Sequence, residues 1–144
     1  MSIVTIGVDL TPVSEVSASA ARFGRHYTGR LFTDRELADC GGVGDRSMQL
    51  AVLFAAKEAT VKALAPGPGE FPEWRSIEVL GGSGGQPALV LSGDAASLAG
   101  KAGIDDWLLS TSFDGETASA LVFGIRRLGD PAVPVISGEA RICR

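Results

Sequence analysis

The sequence predicts an α+β fold in which a mostly antiparallel sheet packs against one long central helix. Three observations lead there. Residues 46–65 form a largely apolar run of helical length that ends at Pro66-Gly67-Pro68-Gly69, where proline removes a backbone donor and blocks the preceding turn. Residues 3–10 alternate with the two-residue period of a strand. Two later pairs of strand-like runs are each joined by a turn signal, the glycine-rich stretch 81–85 and the Asp114-Gly115 pair, and such hairpins are antiparallel.

In the first strand Val4, Ile6, Val8 and Leu10 share one face, and Thr5, Gly7 and Asp9 share the other. Pro12 suits a first helical turn, and residues 13–27, rich in Ala and Ser, continue it. Thr33 and Glu36 have the spacing of a capping box for a short helix over 34–39, which Cys40-Gly41-Gly42 ends. Beyond the central helix, strands over 75–80 and 87–91 form the first hairpin. Asp94 reads as the N-cap of a helix over 95–101 that Gly103 terminates. Strands over 107–113 and 117–126 complete the sheet. One domain is expected over 1–127, followed over 128–144 by a tail with Pro131, Pro134, Gly129 and Gly138 and little periodicity.

With 144 residues, 45% of them apolar, a single domain can bury a core of its own. Cys40 and Cys143 lie far apart without CxxC spacing, and the opening residues read as a strand and not a secretory signal, so a reduced, cytoplasmic setting is expected. The longest apolar run, 50–56, is far short of the roughly 20 residues a membrane span needs. A net charge of −4 argues against nucleic-acid binding, which depends on neutralising phosphates. Arg22, Arg25, Arg30 and Arg35 nevertheless gather in one region, as a solvated helix face or as a patch for an acidic partner. His26 is the only histidine, which excludes a three-histidine zinc site; beside Tyr27 it reads as surface.

Lys57, Glu58 and Lys62 stand out as charges in an otherwise apolar helix. Glu58 and Lys62 lie one turn apart on one face, with Lys57 about 100° away from Glu58. Such an i,i+4 pair can simply steady a helix by about 0.2–0.5 kcal/mol, or it can offer a carboxylate and an ammonium to a metal and a phosphate. Asp9 adds a second acid near a strand end, where Asp is disfavoured unless it caps a turn or serves a site. Gly7, two residues earlier on the same face, leaves room for another group to approach.

GVDL at 7–10 and FAAKEATVKAL at 54–64, together with RLFTDRELADC at 30–40, IEVL at 77–80, GGQPALVLSG at 84–93 and STSFDGETASALVFG at 110–124, resemble the 4′-phosphopantetheinyl transferases in wording, order and spacing. Their length resembles the small holo-acyl-carrier-protein synthase type, a single module. The resemblance implies that a carrier-protein serine attacks the β-phosphate of coenzyme A, with adenosine 3′,5′-bisphosphate leaving. It implies Mg2+ on Asp9 and Glu58, with Asp9, Glu58 and Lys62 as the catalytic set and Lys62, then Lys57, near the phosphates. Gly67, Ser112 and Phe113 are implied as further coenzyme A contacts. The partners implied are an acidic acyl carrier protein, docked on the basic first helix, and two further copies in a homotrimer with active sites between subunits. Glu58 could serve as base directly or through a metal-bound water, and the residues leave that open.

Departures from the family pattern fall at the nucleotide end and, with Glu15, on the first helix implied to dock the carrier. Phe113 stands where relatives of the small type carry histidine, Leu53 where a basic or aromatic residue is common, Ala65-Pro66-Gly67-Pro68-Gly69 replaces a glycine-rich turn, and Glu15 replaces a basic residue. Each alters an expected contact, and a charge-assisted hydrogen bond is worth about 1.5–3 kcal/mol. Arg46, Arg75 and Lys101 are candidate substitutes. The departures keep a second expectation in view, a family member that has lost transferase activity and serves as a repurposed pathway enzyme or carrier-binding assembly protein.

Overall fold

A strand of eleven residues, β1 (Ser2–Pro12), opens the computed structural model, which describes residues 1–40, 45–81 and 87–128. It pairs antiparallel with the last strand, Thr117–Arg126, which in turn pairs antiparallel with Asp106–Phe113. A separate antiparallel hairpin joins β2 (Ile77–Leu80) to β3 (Ala88–Leu91), so the strands over 106–113 and 117–126 are β4 and β5 and the larger sheet has the order β1-β5-β4. The β4–β5 turn is closed by Asp114, whose Oδ1 accepts the Glu116 and Thr117 amides at 3.0 Å each, with Gly115 at φ +97°. Both sheets are antiparallel, as the two hairpin signals predict.

The central helix crosses the inner face of the larger sheet. It covers Arg46–Leu64 and begins at Asp45, whose carboxylate accepts the Ser47 amide at 2.9 Å. Ala51, Ala55, Ala59 and Ala63 are buried along it, and Leu109, Ala118, Ala120 and Val122 are buried on the sheet. Small side chains at i,i+4 spacing let helix and sheet approach closely. Ala65 caps the helix in the left-handed region at φ +46°.

Several boundaries differ from the sequence expectation for local reasons. The helix expected over 13–27 is two helices, α1 (Val13–Phe23) and α2 (Arg25–Leu31), because Gly24 at φ +52° ends the first and starts the second. The capping box expected at Thr33 and Glu36 is present and opens α3 (Asp34–Asp39), which makes the central helix α4. Strand β2 starts two residues late because Trp74–Ser76 forms a 3-10 turn, with the Ser76 hydroxyl on the Glu73 carbonyl at 2.6 Å. Ser92, not Asp94, caps α5 (Gly93–Lys101), and Asp94 falls in its first turn, where its charge suits the helix N-terminus. The tail expected from 128 lies outside the described residues from 129 onward, as do Cys143, Gly41-Gly42 and 82–86 of the β2–β3 connection.

The two faces of β1 have opposite fates. Gly7 and Thr11 are buried and Thr5 and Asp9 are half-buried, whereas Ile6, Val8 and Leu10 are 54%, 53% and 68% exposed. The register sets Ile6 beside Phe123 and Val8 beside Leu121 on β5, so the outer face of the sheet is an apolar surface open to solvent.

Candidate active site

Close contact between β1 and α4 builds the site. A Cβ on Gly7 would lie 1.8 Å from the Ala59 carbonyl oxygen and 3.0 Å from the Ala63 amide nitrogen, so only glycine permits this crossing. The Thr5 hydroxyl donates to the Ala63 carbonyl at 2.8 Å and ties strand to helix on the far side of the crossing. Gly7 therefore makes room for the helix backbone itself. Two residues further along the same face, Asp9 reaches the row of α4 that carries half-buried Glu58 and exposed Lys62.

Asp9 and Lys62 pair there, and Glu58 lies within electrostatic reach of both. Lys62 Nζ lies 2.9 Å from Asp9 Oδ1 and also donates to the Val8 carbonyl at 3.1 Å. The Thr11 hydroxyl donates to Asp9 Oδ2 at 2.6 Å. Partial burial, and after it the negative charge of Asp9, push the Glu58 carboxyl above its ordinary pKa, while Lys62 pulls it down. The Asp9 charge thus opposes ionisation of Glu58, a conflict that a bound cation would resolve. No group of three or more His, Cys, Asp or Glu placed to hold a metal ion occurs among the described residues. Two oxygen donors without sulfur or imidazole suit a hard cation such as Mg2+, which keeps waters and shares substrate phosphates.

Lys57 is not part of this group, a correction to its expected place beside the phosphates. It is fully buried, 2.9 Å from Glu36 Oε2, and its ammonium also donates to the Trp74 carbonyl at 3.0 Å and to the Ile77 carbonyl. An ammonium has three donors, and all three are taken inside the core. Burial lowers its pKa against the opposing pull of Glu36. Glu36, legible in the sequence only as a capping residue, accepts the Thr33 amide on Oε2 and the Val79 amide on Oε1, both at 2.8 Å. The pair locks α3, α4 and β2 together. Thr11 was also missed, and its one signal was its place two residues beyond Asp9 on the same strand face.

The remaining candidates lie apart from the charged cluster. Gly67 is half-buried beyond the C-terminus of α4, its amide 3.3 Å from Glu70 Oε2. Ser112 and Phe113 are exposed at the end of β4, where Phe113 and Thr11 both pair with Ala118. Two strand spacings put Phe113 about 10 Å from Thr11 on the same face of the sheet. Arg22, Arg25, His26, Arg30 and Arg35 are exposed on α1, α2 and α3; Arg22 stacks on the Phe23 ring and Arg35 pairs with Glu78 at 3.5 Å.

Fold and site together define an α+β transferase module with an acid pair and an ammonium at a strand–helix crossing. The model of the 4′-phosphopantetheinyl transferase superfamily matches residues 5–115. The chain is 41% identical over 124 residues to the holo-[acyl-carrier-protein] synthase of Frankia casuarinae, covering 85% of this chain and 97% of that one. It is 36% identical over 125 residues to the synthase of Herpetosiphon aurantiacus, covering 83% and 96%. Among solved structures it superposes on the Neisseria meningitidis synthase with a TM-score of 0.76 at 28% identity, covering 87% of this chain and all of that one. The coenzyme A complex of the "Chronobacterium ammoniagenes" synthase gives a TM-score of 0.74 at 30% identity, covering 86% and 98%. The chain belongs to the 4′-phosphopantetheinyl transferase superfamily and is of the holo-[acyl-carrier-protein] synthase type.

Proposed function

We propose that this chain transfers 4′-phosphopantetheine from coenzyme A to a serine of an apo acyl carrier protein, with Mg2+ held by Asp9 and Glu58. The observation that carries it is the Asp9–Lys62 ion pair at the β1–α4 crossing, within electrostatic reach of Glu58, in a chain whose relatives are named holo-[acyl-carrier-protein] synthases. The serine hydroxyl gives its proton to a base, for which Glu58, directly or through a water, is the candidate; its oxygen bonds to the β-phosphorus, the bond from that phosphorus to the bridging oxygen breaks, and adenosine 3′,5′-bisphosphate leaves. Bound Mg2+ would neutralise the pyrophosphate oxygens and favour departure of the leaving group. Lys62, half-exposed on a long stem, can exchange Asp9 for a phosphate oxygen and stabilise charge that grows in the transition state.

The exposed row Val4, Ile6, Val8 and Leu10, beside Leu121 and Phe123, supports contact between subunits, because an apolar patch of this kind marks a contact surface; three as the number of copies is what the family resemblance implies. The exposed arginines of α1 and α2 support docking of an acidic carrier. No helix among the described residues is long and apolar enough to cross a membrane. The loss-of-activity alternative is not favoured, since the relatives are named holo-[acyl-carrier-protein] synthases.

The test is incubation with coenzyme A, Mg2+ and a set of apo-carriers, followed by mass spectrometry for the phosphopantetheine adduct. An adduct that requires Mg2+ is expected. No adduct on any carrier, with no calorimetric binding of coenzyme A, overturns the assignment.

A further inference from the structure

Thr11 has the features of a second anchor for the site. Its side chain is buried, with 4% of the residue exposed, and its hydroxyl lies 2.6 Å from Asp9 Oδ2. A hydroxyl has one proton to give, and a carboxylate accepts only, so the direction of this bond is fixed. It is charge-assisted, and such bonds are short and strong. Thr11 is β-branched, with few rotamers open to it, and sits within the β1–β5 ladder opposite Ala118.

The two Asp9 oxygens therefore have unlike partners. Lys62 holds Oδ1 at 2.9 Å, but its side chain is 53% exposed, against 12% for Asp9. Lys62 is free to swing away, and its phosphate role requires that it do so. Thr11 has no such freedom. We propose that Thr11 is a positioning residue, whose buried hydroxyl pins Asp9 Oδ2 and leaves Oδ1 as the oxygen presented to the cation once Lys62 departs. A carboxylate free about its last torsion samples a broad range, and the neighbouring Glu58 charge would repel it from the shared position. The Thr11 bond resists both effects. The inference rests on the reading that Asp9 and Glu58 hold Mg2+.

The test uses the full chain with coenzyme A and no carrier, so that no turnover occurs. Mn2+ is titrated as the probe and free Mn2+ is followed by electron paramagnetic resonance. Thr11→Val is expected to bind Mn2+ about 10- to 100-fold more weakly, as loss of a hydrogen bond behind a metal ligand typically does, while Thr11→Ser stays near wild type. Should Thr11→Val not fold, Thr11→Ala makes the same comparison without a β-branch. In transfer assays the lost rate of the hydroxyl-free variant should return as Mg2+ is raised, which a purely structural role would not produce. Wild-type Mn2+ affinity in a folded hydroxyl-free variant overturns the role of Thr11. The Asp9→Asn control separates the two claims: if it binds Mn2+ as wild type does, the metal reading fails and this inference falls with it.

Discussion

Gly7→Ala probes the crossing on which the site depends. The added methyl would start 1.8 Å from the Ala59 carbonyl oxygen, whereas carbon and oxygen in ordinary contact lie at about 3.4 Å. The obstacle is helix backbone, which no side-chain rotation relieves, so β1 and α4 must separate locally by about 1.5 Å. Asp9 is two residues away on the same strand, and its 2.9 Å contact with Lys62 would open beyond hydrogen-bonding range. Overpacking of this kind costs about 1–3 kcal/mol of stability, and displacement of reacting groups by about 1 Å can cost about 100-fold in rate. Urea unfolding gives the first quantity, and transfer to an apo-carrier at a temperature where near-ultraviolet dichroism shows the variant folded gives the second. A folded Gly7→Ala protein with wild-type stability and wild-type rate would refute the claim that this contact places Asp9.

Asp9→Asn and Glu58→Gln should each abolish metal-dependent transfer while leaving the molar mass by light scattering unchanged; activity retained in either removes that residue from the metal site. Lys57→Met should destabilise the fold by about 3–5 kcal/mol by leaving Glu36 charged and unpaired in the core, with coenzyme A affinity of the folded fraction unchanged in calorimetry; the reverse pattern would restore Lys57 to the phosphate site. Because the pKa of Glu58 is raised in the folded state, its ionised form opposes folding above that pKa, and the penalty is relieved as pH falls through it toward the ordinary glutamate value. Metal-free Glu58→Gln should therefore lack that local gain in stability on acidification, measured by urea titrations across the window. Phe113→His should tighten coenzyme A binding if the nucleotide lies where relatives hold it, and an unchanged dissociation constant would place the nucleotide elsewhere.

The elements that local chemistry dictates were legible in the sequence. Strand β5 begins and ends where its alternation and the Asp114-Gly115 turn predict, and the Thr33–Glu36 box starts α3 at the expected residue. Gly24 was passed over because a glycine inside a helical pattern is tolerated as often as it breaks the helix. Ser92 and Asp94 are both good caps, and the backbone bond from the Ser92 amide to the Ser76 carbonyl at 2.8 Å, a long-range contact, accompanies the choice. In β1, alternation separates two faces but carries no sign saying which one meets α4. The polar face does, because Gly7 allows helix backbone to touch strand backbone, and the apolar face is left exposed.

The same limit explains Lys57. Lys57 and Glu58 are neighbours in sequence, and the pattern of α4 marks both as charges in an apolar helix, yet about 100° of rotation sends one into the core and the other to the site. What distinguishes them is the partner each finds across the fold. Glu36 comes from α3 and the Trp74 and Ile77 carbonyls from the approach to β2, whereas Lys62 finds Asp9 from β1. A buried ion pair with its donors satisfied fixes orientation more than it adds stability. With Lys57 held in the core by these partners, helix geometry leaves the Glu58–Lys62 row on the side where Lys62 meets Asp9.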